Sequence, residues 1–331
     1  MTNKDQEVYL GEIICSSGQN DKNIAKKVNQ GVGAVSQIFS SLSQISLGHY
    51  YYETALAMRD AILVSKMVSS SEIWYSVTKQ QYQKLENIDE MFFRSVLNVP
   101  VSVPKEALYF DLGKMSIKYI IKLRRMMYWW QLVNVDKNEL IHKFYFAQNI
   151  KRNKDDWVIQ LDQDKKDLHL NLSDIDITYF SQEHFRRVVK SRTEEFAAKN
   201  LEKLRDSHTK TEHFKFTGFR PAEYILSKNL TTEEVKTLFK LRSRMVNVKG
   251  NFSSAHKDNM WCKLCFLFTE TQQHLLECPV VRIKTNHLIN FKDLNYNMLF
   301  GTIENQENFT KQYQIILKAR SDILENDDQT S

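Results

Sequence analysis

The chain is poor in the residues that interrupt helices: nine glycines and four prolines (Pro100, Pro104, Pro221 and Pro279) serve 331 positions. A many-stranded β fold needs turn residues about every ten positions, so this scarcity points to a mainly α fold. In "TKQQYQKLENIDEMFFRSVL", Tyr82, Leu85, Ile88, Met91, Phe92 and Val96 recur at helical spacing. Thr78 with Gln81, and Thr231 with Glu234, are spaced as capping boxes, in which each side chain accepts the other residue's backbone N–H. Gly113 is placed to stop a helix. The one convincing strand signal is "EVYLGEII" at 7–14, interrupted by Gly11 and followed by Gly18 as at a hairpin edge.

Polar joints, "NIKRNKDDW" at 149–157 and "DSHTKTEHFKFTG" at 206–218, suggest boundaries. The chain therefore reads as a short β segment (1–22), a helical domain (23–150), a helical linker region (151–230), a basic helix with a cysteine-rich segment (231–300), and a terminal helix over about 305–324 with a polar tail (301–331). No apolar run approaches the roughly 20 residues of a membrane helix. The N-terminus lacks the basic-then-apolar pattern of an export signal. The expectation is an intracellular protein, nuclear or cytoplasmic, in a reducing compartment where cysteines serve more often as ligands than in disulfides.

The net charge is +6, a bias whose distribution says more than its size. Between Asp111 and Asp136 there is no acidic residue. On a helix, Lys118, Lys122, Arg125 and Trp129 would share one face, and Ile117, Ile120, Ile121 and Tyr128 another that can meet a core. A second acid-free window, between Glu234 and Asp258, sets Lys236, Lys240 and Arg244 at i, i+4 and i+8 of a helix read as continuing to about Val248. Stripes of this kind suit a phosphate backbone, with Trp129 available to stack on a base. They are equally the ordinary solvated faces of amphipathic helices.

"WCKLCFLFTETQQHLLECPVV" holds Cys262, Cys265, His274 and Cys278 in the pattern C-x2-C-x8-H-x3-C. A C-x2-C pair directs two thiolates inward from one tight turn. His274 and Cys278, four apart, share a side of one helical turn. Four protein ligands close a tetrahedral shell, so the pattern reads as structural zinc rather than a catalytic metal, which needs an open position. The competing readings are four residues with unrelated roles, or a disulfide, which three cysteines cannot share evenly.

"CKLCFLFTETQQHLLECP" resembles the zinc-binding segment at the C-terminal end of non-LTR (LINE-like) retrotransposon reverse transcriptases. "RSVLNVPVSVPKEALYFDLGKMSIKYIIKLRRMMYWWQLV" (94–133) is similar to the helical stretch between polymerase and knuckle in those proteins. "YLGEII" (9–14) is similar to the handover from palm to thumb near the primer grip, and "IWYSVTKQQYQKLENIDEMFFRSVL" fits the thumb that follows. The resemblance spans about 9 to 288, in the family's order. It implies a palm-derived strand remnant, a helical thumb-like bundle, further helices and a small C-terminal CCHC zinc knuckle, gripping RNA or DNA. It also implies that the palm, with its metal-binding aspartates, would lie before Tyr9. Asp155–Asp156 sits in a polar joint and Asp327–Asp328 in the tail, so neither pair suits catalysis. Phe266 stands where the family often has glycine. The expectation is a non-catalytic nucleic-acid-binding and zinc-binding chain, working alone or beside a separate palm or another protein. The alternative is a protein-interaction scaffold, or a decayed remnant, with the zinc site as a clip.

Overall fold

The computed structural model describes residues 6–9, 12–15, 20–75, 77–152, 156–206, 210–211, 213–252 and 259–329. These residues are mainly helical. Where a single strand was read, two four-residue strands pair antiparallel, Gln6–Tyr9 with Glu12–Cys15, with Glu7 opposite Ile14 and Val8 opposite Ile13. Gly11 and Gly18 lie outside the described residues.

The chain packs into two compact units, each gathered from three pieces. The first comprises 1–46, 54–93 and 113–204; the second comprises 47–53, 94–112 and 205–331. The joint at 149–157 lies within the first unit, and that at 206–218 near the start of the last piece of the second. Residues 153–155, 207–209 and 212 of these joints, Asp155 among them, lie outside the described residues.

In the first unit the helix Ile117–Asn134 is central, and Leu140–Ile150, Trp157–Asp167 and Asp174–Thr178 pack on it. Met126, Trp129 and Leu132 from this helix join Tyr145, Trp157, Val158, Leu161, Phe185 and Val189 in one apolar cluster. Rings meet edge to face, the geometry their quadrupoles favour: Tyr128 and Trp157 at 5.7 Å and 89°, Trp129 and Phe185 at 6.0 Å and 73°. In the second unit, Thr232–Arg242 and Pro279–Thr285 pack on the long helix Ile303–Gln329. Leu238, Phe239, Leu275, Val281, Phe309, Tyr313 and Ile316 are buried there. That last helix runs on to Gln329, into the stretch read as a polar tail, whose residues 330–331 lie outside the described residues.

Both expected capping boxes form. Gln81 N–H donates to Thr78 Oγ1 at 3.2 Å and Thr78 N–H to Gln81 Oε1 at 2.9 Å. Thr231 and Glu234 bond reciprocally in the same way. The helix behind Thr231 ends at Arg242, not near Val248. Arg244 N–H donates to the Leu241 carbonyl at 3.2 Å and Met245 N–H to that of Lys240 at 2.7 Å, a Schellman stop with Arg244 left-handed at φ 53°. Among the described residues no helix is long and apolar enough to cross a membrane.

Candidate metal centre

The cysteine-rich segment begins as a tight turn. Cys262 N–H donates to the Phe268 carbonyl at 2.7 Å, Glu270 N–H to that of Met260 at 2.8 Å, and Trp261 bridges Thr269. Within the turn, Phe266 N–H donates to the Cys262 carbonyl at 3.0 Å, and Phe266 is left-handed at φ 56°. Thr271 then caps the short helix Gln272–Glu277 by accepting from His274 N–H at 2.9 Å. Cys278 closes that helix and opens the next, Pro279–Thr285.

These elements gather Cys262, Cys265, His274 and Cys278, whose ligand atoms all lie within 4.8 Å of one another. Cys262 and Cys278 sulfurs are 3.9 Å apart; Cys265 Sγ and His274 Nε2 are 3.3 Å apart. Ligands about 2.0–2.3 Å from a tetrahedral ion sit about 3.5–3.8 Å from each other, a span these two separations bracket. The three thiols are free, and Cys262, His274 and Cys278 are buried. The four residues could hold one metal ion, and three thiols with one imidazole form a soft donor set.

The surroundings differ from ligand to ligand. Burial pushes the Cys278 thiol up to about 12, reinforced by the charges of Cys262 and Cys265 and opposed by the Val281 and Val280 N–H groups of the following helix. Burial also raises Cys265, but the Leu267 N–H, Cys262 and the Phe268 N–H outweigh it, and its thiol falls below the usual range. Burial lowers His274 against the charges of Glu277 and Glu270, keeping the imidazole neutral as a ligand requires.

A buried polar network ties the segment to its neighbours, and the sequence reading missed it. Glu270 is fully buried; its Oε1 accepts from Arg320 Nε at 3.0 Å and Nη2 at 2.9 Å, and its Oε2 from Lys249 N–H at 3.1 Å. Lys249 Nζ donates to the Trp261 carbonyl and to Asn259, each at 3.0 Å. Gln272 Nε2 donates to the Leu241 carbonyl at 2.7 Å, and Tyr313 OH to the Gln272 carbonyl at 2.8 Å. The partners lie up to 50 residues apart in the chain, beyond any local pattern.

The two cationic stripes do not form as expected. The face carrying Lys122, Arg125 and Trp129 is buried. Lys122 Nζ donates to Asp164 Oδ1 at 2.6 Å and Asp167 Oδ2 at 2.7 Å; Arg125 pairs with the other Asp164 oxygen and donates to the Trp74 carbonyl at 3.1 Å. Burial alone would lower Lys122 and Arg125, but Asp164 holds both above their ordinary values. Trp129 Nε1 donates to Tyr145 OH at 3.1 Å and Asp174 Oδ1 at 3.0 Å, and Lys165 Nζ lies 4.2 Å from its ring. These three side chains are structural and out of reach of a nucleic acid. Lys118, partly exposed, lies 3.5 Å from Glu86.

In the second stripe Lys236 pairs with Glu233 at 2.5 Å and is largely covered. Lys240 is half-buried, and Arg244 lies past the helix end, 3.0 Å from His213 Nε2. The three therefore do not line one helical face.

Comparison with protein-family models, curated proteins and solved structures gives no match to this chain.

Proposed function

We propose that the chain is a zinc-stabilised, non-catalytic binder of single-stranded RNA or DNA, derived from the thumb, linker and knuckle of a non-LTR retrotransposon reverse transcriptase. Three thiolates and one imidazole with no open position favour structural zinc. The observation that carries the binding role is the outer surface of the metal segment. Trp261 is 55% exposed, Phe266 74% and Phe268 58%, and Lys263, Arg282 and Lys284 are also exposed. Aromatic faces beside cations are the ordinary means of holding unpaired strands, through stacking and phosphate contacts. This surface replaces the buried face of Lys122, Arg125 and Trp129 in the proposal.

The test is fluorescence anisotropy with single-stranded RNA and DNA across a salt series. Log affinity should fall linearly with log salt, and Trp261→Ala with Phe268→Ala should cost about 1–3 kcal/mol per stacked base. Affinity indifferent to salt and to both substitutions would overturn the reading. Primer-extension assay of the purified chain should give no product.

A protein-interaction role has one observation in its favour. The helix Leu140–Ile150 buries Tyr145 but leaves Leu140, Ile141, Phe144, Phe146 and Ile150 exposed. Charge reversal of Lys263, Arg282 and Lys284 separates the two: strand binding that survives it would favour the scaffold.

A further inference from the structure

Away from the candidate metal centre, the second unit holds a cleft of about 280 Å³ whose lining includes Asp111, Lys215, Arg220, Tyr224, Arg242 and Phe300. Its floor is a locked set of polar groups. Asp111 accepts from Arg242 Nε at 3.1 Å and Nη2 at 3.0 Å, and from Tyr224 OH at 2.5 Å. Arg242 Nη1 donates to the Leu299 carbonyl at 2.9 Å, and its guanidinium lies 5.1 Å from the Phe300 ring. Asp111 and Arg242 cancel in charge, and their donors and acceptors are largely committed to each other.

The rim is different. Lys215 and Arg220 are exposed, and neither makes an ion pair, a side-chain hydrogen bond or a ring contact among the described residues. Gly218 between them sits at φ 103°, a conformation closed to residues with a Cβ; the turn it allows brings both cations to the same cleft. Glu223 is the one lining carboxylate left uncompensated by the floor. On the wall, His213 packs on Phe300 with ring centroids 5.0 Å apart. Two unpaired cations thus stand at the mouth of a cleft with aromatic walls. The volume lies just below the roughly 300–1,000 Å³ of ligand pockets, enough for one small unit and not a chain of them.

We propose that this cleft binds a single nucleoside phosphate, with the phosphate at Lys215 and Arg220 and the base against the Phe300–His213 wall. The proposal goes beyond the strand-binding surface of the metal segment and does not rest on it. The nucleotide has two possible sources, a free mononucleotide or the 5′-phosphorylated end of a strand.

Calorimetric titration of the full-length, zinc-loaded chain tests it, with adenosine monophosphate, adenosine, inorganic phosphate and a 5′-phosphorylated tetranucleotide as probes. Adenosine monophosphate should bind one to one. Adenosine and inorganic phosphate should each bind about tenfold or more weaker, as should the monophosphate to Lys215→Ala/Arg220→Ala. Both substituted side chains are exposed, so the variant should keep its circular dichroism and thermal unfolding. Tighter binding of the tetranucleotide than of the mononucleotide assigns the site to strand ends; the reverse assigns it to free nucleotides. No monophosphate binding, phosphate alone binding as tightly, or a double variant of unchanged affinity would overturn the proposal. Trp261→Ala/Phe268→Ala should lose strand binding and keep the mononucleotide, so the two sites can fail separately.

Discussion

Phe266 holds a backbone conformation that costs a side-chain-bearing residue about 1–2 kcal/mol, and its ring, 74% exposed, recovers little of that by packing. Asn98, His169 and Arg244 are left-handed too, each just past the end of a helix, at φ 49°, 51° and 53°. Gly113, at φ 59° just past the helix Lys105–Leu112, is a glycine stop, but a chain with so few glycines meets several of its helix stops with other residues. Phe266→Gly should therefore stabilise the metal-loaded protein by about 1 kcal/mol, less what glycine gains in unfolded-state freedom, measured by urea unfolding. Asn98→Gly should gain less, because asparagine tolerates this region. If Phe266→Gly weakens strand binding while raising stability, the exposed ring is retained for contact and not for folding.

At the scale of elements, the helix 117–134 turns a surface-looking stripe into an interior one because the helix 157–167 brings Asp164 and Asp167, three residues apart, against Lys122 and Arg125, also three apart. Asp164→Ala would leave Lys122 with Asp167 alone and take from the buried Arg125 its carboxylate partner, and should destabilise the first unit by about 3–5 kcal/mol in urea unfolding. Lys240→Ala, on a half-buried cation, should change stability by less than about 0.5 kcal/mol. What was legible in the sequence follows the same division. The four candidate metal ligands and both capping boxes lie within 17 residues or fewer and were readable as spacings. The acid that neutralises Lys122 is 42 residues away, so an acid-free window could not reveal it. The short helix 272–277 is below the length that holds in water by itself and leans on its Thr271 cap and on packing. Its ligands give a further expectation. Burial pushes the Cys278 thiol up to about 12, so if the four residues take zinc, loading at neutral pH should release protons and affinity should rise with pH. A weakly buffered pH indicator reads the release; loading with none would mean that Cys278 is not a ligand.

At the scale of the whole molecule, each unit has buried apolar residues and a polar anchor of its own, Asp164 in one and Glu270 in the other. Perturbations should therefore stay local. Zinc chelation should strip amide-exchange protection from 259–285 and leave the helices 117–134 and 157–167 protected, while Asp164→Ala should do the reverse. Hydrogen exchange read by mass spectrometry resolves the two patterns, and loss of protection throughout the chain in both cases would show one cooperative body instead.

The interleaving of the units reaches beyond stability. A break anywhere between residues 54 and 204 would separate pieces of both units at once. A gene for such a chain cannot be shuffled as cassettes: a crossover with a divergent copy would mismatch two cores in one event, and a library of simple truncations would yield soluble fragments only near its extremes.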